Sequence, residues 1–236
     1  MLLTRQARCA IPAILSVCFL SAGVSKATEV TARLASAQSG QPAKKPAKTP
    51  PAVLWLEPIP LTPGAAVTPG KFVLLQKNKT FIPHLLVVPV GSSVAFPNAD
   101  PFFHNVFSLF DGKRFDLGLY EAGSSRTVLF SRQGVSYIFC DIHSEMSAVV
   151  IALNTPFYSA SDGNGDFRLA DVPNGEYDLH IWVEGQRPSF LEGLTRRVHV
   201  SGRSVNLGEI QVGARTQEQH LDKFGRPYAP EPKPAY

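Results

Sequence analysis

Cysteine is nearly absent from this chain, and its placement is informative. The 236 residues contain three, of which Cys9 and Cys18 fall within the first 27. Beyond that stretch Cys140 is alone, so no disulfide can close within the rest of the chain. Methionine is rarer: after Met1 only Met146 occurs. The six histidines form neither a His-x-His pair nor a His-x-x-x-His zinc-helix motif. There is no glycine-rich phosphate loop and no Ser-His-Asp arrangement, which argues against nucleotide chemistry and serine-nucleophile hydrolysis. No long segment repeats its apolar residues at helical period.

A long hydrophobic run is missing too. The best candidate, 9–24, is interrupted by Pro12 and Ser16 and falls short of the roughly 20 residues of a spanning helix. Arg5 and Arg8 precede it and Ser25-Lys26-Ala27 follows, which is the three-part form of an export leader with a small-residue cleavage site. The expectation is a leader over 1–27, a periplasmic mature protein, and no stable membrane insertion after cleavage; an uncleaved anchor is the alternative. Loss of Arg5, Arg8 and Lys26 takes the 23 basic residues to 20, against 19 acidic ones, a net charge of +1. The basic overall balance therefore sits in the leader and gives no reason to expect nucleic acid as a partner.

What the chain does have is strand patterning. After a weak alternation at 30–34, the stretch 36–51 is rich in Ala, Lys, Pro, Gln, Gly and Ser and reads as a linker. Residues 51–57 form a short apolar run, followed by a proline-broken connection to Gly70. Strands are then expected at 72–76, 85–90, 93–96, 104–110, 126–131, 135–140 and 148–153, with turns at Asn98-Ala99-Asp100-Pro101 and Asp111-Gly112-Lys113. A second group follows at 157–160, 167–169, 177–183, 196–200 and 205–212, and from Gly213 the chain is polar and proline-rich. The fold class expected is all-β. The divisions are 1–27, 28–69 (N-terminal strands and linker), 70–154, 155–213, and a mobile tail over 214–236.

The chemistry concentrates at Cys140-Asp141-Ile142-His143-Ser144-Glu145-Met146, a thiol, an imidazole and a thioether in one loop at the end of a strand. His104, on another strand, can supply a second imidazole. One thiolate, two imidazoles and a weak axial thioether are the ligands of a type 1 copper ion, which they suit in both oxidation states. Glu145 can compete with Met146 for the axial position, giving a red rather than a blue site. Taken singly, Cys140 reads as a buried structural cysteine and Met146 as core filler; the spacing argues otherwise. His84 reads as a packed or surface histidine, and His180, His199 and His220 as surface residues. Six histidines without a His-x-His pair are too few for a trinuclear copper oxidase.

From Phe81-Ile82-Pro83, through Gly91, Asn98 and His104-Asn105-Val106, to Tyr137-Ile138-Phe139-Cys140 and the short Cys-x-x-His-x-x-Met loop, residues 71–153 resemble the cupredoxins, amicyanin-type members in particular. The resemblance implies a Greek-key β-sandwich. It also implies one copper ion held by His104, Cys140, His143 and Met146, and electron transfer with periplasmic redox proteins as donor and acceptor rather than catalysis. It further implies that Asn105 ties the two ligand-bearing segments together. Phe103 and Ile142 stand where that family often has proline. A copper carrier or sensor module with the same ligands is the alternative reading.

Asp162-Gly163-Asn164-Gly165-Asp166-Phe167 and Val172-Pro173-Asn174-Gly175-Glu176-Tyr177 resemble the turns of carboxypeptidase regulatory-like domains, which are small transthyretin-like β-sandwiches. Asp162, Asn164 and Asp166 start like a calcium loop, but Pro173 stands where its closing Glu belongs, so a hairpin turn is the better reading. The resemblance implies that two further strands, the second at 52–56, precede the cupredoxin-like stretch, which would then be an insertion.

Overall fold

Alternating and doubly apolar stretches, not helical ones, run from Ala27 onward, and backbone pairing follows them. The computed structural model describes residues 27–36, 49–60, 66–109, 112–213 and 221–228. The expected leader, apart from Ala27, lies outside these residues, as do His220 and most of the linker. Two strands come first, β1 (Ala27–Ser36) and β2 (Ala52–Ile59). Ten follow: β3 (Lys71–Val73), β4 (Leu75–Lys77), β5 (Thr80–Ile82), β6 (Leu85–Pro89), β7 (Ser92–Pro97), β8 (His104–Ser108), β9 (Phe115–Tyr120), β10 (Ser125–Phe130), β11 (Gly134–Phe139) and β12 (Ser147–Leu153). The last group is β13 (Tyr158–Ala160), β14 (Asp166–Pro173), β15 (Gly175–Val183), the short helix α1 (Pro188–Glu192), β16 (Arg196–Val200) and β17 (Ser204–Val212). The described residues are all-β but for that one turn of helix, and no helix among them is long and apolar enough to cross a membrane.

Pairing separates the strands by sequence position. β1 lies between β14, antiparallel, and β17, parallel. β2 lies antiparallel between β13 and β15, with β16 at the far edge. The strands before Lys71 thus pair with strands after Phe157. The ten between pair among themselves, as a five-stranded sheet β6-β12-β11-β8-β9, a three-stranded sheet β10-β7-β3 and the hairpin β4-β5.

β12 explains how the sheets stack. Its sequence Ser-Ala-Val-Val-Ile-Ala-Leu is buried from its second residue to its last. Successive side chains of a strand point to opposite faces, so a strand apolar throughout is covered on both. Ala148, Val150 and Ala152 join Val88, Val94, Phe96, Val106, Phe130 and Ile138 in one core. Val149, Ile151 and Leu153 join Val53, Leu54, Leu56 and Trp182 in the other. The five-stranded sheet is therefore a shared wall between the 71–153 block and the sheets built from β1, β2 and β13–β17. Trp182 Nε1–H donates across this wall to the Tyr137 hydroxyl (3.1 Å). Beside it the His84 ring spans the Ser147 carbonyl (3.1 Å) and the Glu184 carboxylate (2.7 Å). His84 is thus a junction residue.

Two local expectations change. The single strand expected at 72–76 is divided between β3, which pairs with β7, and β4, which pairs with β5. β9 escapes the sequence pattern because it carries an irregularity around Gly118, which sits at φ +67°. In the stretch from 214 onward, the described part 221–228 lies against the loop that carries Cys140.

Candidate metal centre

β11 and β12 are antiparallel neighbours over their full length, so the 140–146 loop only has to join paired strands. It is short and closed by its own backbone. The Cys140 N–H donates to the Met146 carbonyl (3.1 Å), and the Met146 N–H to the His143 carbonyl (3.1 Å). Cys140 and Met146 are both fully buried and share a core with Val106, Ile138 and Ala148. His104 opens β8, which neighbours β11 through the Phe107–Phe139 pair, and it is fully buried as well. His143 is half-buried and Glu145 is exposed.

The sequence placed two imidazoles and a thiol in separate segments; the fold brings them to one point. Cys140 Sγ lies 3.7 Å from His104 Nδ1 and 3.5 Å from His143 Nδ1, and the three donors fall within 4.8 Å of one another. Metal–sulfur bonds of about 2.3 Å and metal–nitrogen bonds of about 2.0 Å, at tetrahedral to trigonal angles, separate sulfur from nitrogen by roughly 3.5–3.7 Å. The two sulfur–nitrogen spacings match those of donors sharing a metal ion. Thiolate with two imidazoles is a soft-to-borderline set that suits copper or zinc, and an adjoining thioether favours copper.

Burial pushes the Cys140 thiol pKa up, Asp141 adds to this, and backbone N–H groups of Asn105, Ile142 and His143 directed at the sulfur only partly offset it. Without a metal the group is a thiol; a bound cation would take it as thiolate and release the proton.

Asp100 belongs to the site, although its sequence context reads only as a turn. Its Oδ2 is 2.8 Å from His104 Nε2, in a pair almost wholly withdrawn from solvent. A carboxylate on the outer nitrogen fixes the ring and its tautomer, leaving Nδ1 to face the metal position. Asp100 is itself fixed by the N–H groups of Asn78 (2.6 Å) and Lys79 (2.9 Å) at the tip of the β4–β5 hairpin. Burial pushes its pKa up, but the hydrogen bonds from Lys79, His104 and Asn78 outweigh this and leave it below the ordinary carboxylate value. The one signal in the sequence was an acid four residues before His104. Asn98 shapes the same turn: its Nδ2–H donates to the Phe102 carbonyl (2.8 Å) and its Oδ1 accepts the Asp100 N–H (3.0 Å).

Asn105 bonds in two directions: its backbone N–H is directed at the Cys140 sulfur, which joins the His104 strand to the 140–146 loop, while Nδ2–H donates to Asp116 Oδ1 on β9 (2.7 Å). The irregularity around Gly118 sets this up, since Asp116 Oδ1 also accepts the Gly118 N–H (2.9 Å). Beside His143 lie apolar side chains: Phe102 packs against both imidazole rings, and Phe103 and Ile142 are exposed.

No protein-family model matches this sequence, and no curated protein matches it. Among solved structures, similarity is found to a purple cupredoxin from Nitrosopumilus maritimus (24% identity, 34% of this chain, 96% of that one, TM-score 0.31). It is also found to a reduced amicyanin variant (17% identity, 42% of this chain, 91% of that one, TM-score 0.33). A third is the copper-containing nitrite reductase NirK from Thermus scotoductus SA-01 (24% identity, 40% of this chain, TM-score 0.34), of which only 25% is spanned.

Proposed function

We propose that this chain is a type 1 copper protein that carries single electrons between redox partner proteins. The observation that carries this reading is the His104–Cys140–His143 cluster at metal-ligand spacing, with Met146 buried in the same core and Glu145 exposed. Copper bound there would cycle between its cuprous and cupric states. The protein's part is to hold the donors still: the loop is closed by its own hydrogen bonds, and His104 is fixed by Asp100. Donors that do not move between oxidation states keep reorganisation small. Met146, buried in the same core, would supply the weak fourth donor, and Glu145, facing solvent, would stay out. His143, half-buried beside Phe102 and Ile142, is the route by which electrons reach a docked partner. We further read 1–27 as an export leader to the periplasm and the 70–154 unit as an insertion in the second sandwich, whose role is scaffolding.

Reconstitution with cupric ion tests the proposal. An intense blue band from thiolate-to-copper charge transfer is expected, lost in Cys140→Ser. A red product would place Glu145 on the metal instead. Copper surrendered at once to a mild chelator would indicate a carrier, and a blue colour surviving in Cys140→Ser would overturn the ligand set.

A further inference from the structure

The segment 221–228 lies far from the ligand loop in sequence and touches it in space. Its shape is set internally. Asp222 Oδ1 accepts the N–H groups of Phe224 (2.9 Å) and Arg226 (2.8 Å), the Asp222 N–H donates to the Arg226 carbonyl (2.8 Å), and Gly225 takes φ +75° at the bend. This turn presents Lys223 inward. The Lys223 backbone N–H donates to Asp141 Oδ1 (3.0 Å), and its ammonium lies 2.9 Å from Asp116 Oδ2 and 3.7 Å from Asp141 Oδ2. Further on, the Tyr228 hydroxyl donates to the Cys140 carbonyl (2.8 Å).

These contacts add a second, outer path between the two donor-bearing segments. Asn105 follows His104 and bonds to Asp116. Asp141 follows Cys140. Between the two acids stands the Lys223 ammonium, with side-chain exposures of 42% for Asp116, 24% for Lys223 and 16% for Asp141. Two carboxylates this close repel unless a cation sits between them. An isolated surface ion pair contributes little. Here one ammonium serves two acids, its own backbone bonds to one of them, and the turn is pre-shaped, so little entropy is lost in holding it.

Resting on the copper reading above, we propose that 221–228 is a strap that closes the metal centre from outside, with Lys223 as the positioning residue joining the His104 strand to the Cys140 loop. The strap adds an outer tie to the inner one made by the Asn105 backbone N–H at the Cys140 sulfur.

The test uses the full chain in metal-free and copper-loaded form. In the metal-free protein, alkylation of Cys140 by iodoacetamide is followed by peptide-resolved mass spectrometry, which keeps Cys9 and Cys18 out of the reading. Lys223→Met is expected to react at least tenfold faster than the parent, and Lys223→Arg to return most of the protection. Tyr228→Phe, which removes one hydroxyl and keeps the ring, is expected to give a smaller increase and guards against a Lys223→Met chain that does not fold. In the copper-loaded protein, Lys223→Met is expected to shift the reduction potential and release copper to a chelator several-fold faster. Unchanged alkylation in both Lys223→Met and Tyr228→Phe overturns the strap. If the parent takes up no copper but the alkylation rates differ as stated, the strap stands and the copper reading falls.

Discussion

Asp100 holds the buried His104 ring, so under the proposed copper function its removal would be felt at the bound ion. Asp100→Asn keeps the shape and loses the charge. Outer hydrogen bonds of this kind typically contribute 10–100-fold in metal affinity, and a loss in that range is expected, measured by competition with a chelator. The same residue sets an acid limit on stability. Its folded-state pKa lies below the ordinary value of 3.8. The unfolded chain therefore binds the proton more readily, and the contribution is complete above the ordinary value and lost as pH falls through the folded one. Denaturation midpoints of the metal-free parent should fall more steeply below about pH 4 than those of Asp100→Asn. At Met146 the expectation differs in kind. Met146→Leu should keep the blue colour and change the reduction potential, because a weak axial donor tunes the ion without holding it. Loss of colour in that variant would make Met146 an obligatory ligand.

β12 is the element on which the most depends. It pairs with β6 and β11, returns the chain from the ligand loop, and packs into two cores. Ile151 is fully buried on the face away from the metal. Ile151→Ala should cost roughly 2–5 kcal/mol, the usual range for a large-to-small change in a packed core. Leu129 on β10 is 51% exposed, and Leu129→Ala should stay within about 0.5 kcal/mol. Chemical denaturation of both variants checks the contrast; equal costs would mean that the outer face of β12 is not core. β11, the ligand loop and β12 were legible from the sequence because each is a local pattern: an apolar strand, a donor-bearing turn, an apolar return. β9 was not, because the irregularity around Gly118 interrupts the period on which strand recognition rests.

At the scale of the molecule, the shared wall predicts how the protein unfolds. Both tryptophans, Trp55 and Trp182, lie on the strands outside the 71–153 block, while the proposed thiolate–copper band would report from inside it. Val149, Ile151 and Leu153 are core to the outer sheets, and Trp182–Tyr137 and His84–Glu184 link the two parts. Opening one part exposes the apolar face of the other. Tryptophan fluorescence and blue absorbance should therefore be lost at one denaturant midpoint. Two separated transitions would show that the wall does not couple the units.

The sequence by itself determined the strand-rich class, the donor loop at 140–146 and the candidacy of His104, because residue type and short-range spacing carry those. It also held the pattern of turns after residue 155 and the apolar run at 52–57, though not what that run pairs with. Only the tertiary structure decided that His104 meets Cys140, that Asp100 is a partner of His104 rather than a turn residue, and that Asn105 turns to Asp116. It alone brought Lys223 to Asp141, 82 residues away. The physical reason is the range of the interactions. A strand's alternation and a loop's closure are written in neighbouring residues. A carboxylate, an amide or an ammonium on the surface has many possible partners, and which one it meets is settled by the packing of sheets whose strands are distant in the chain.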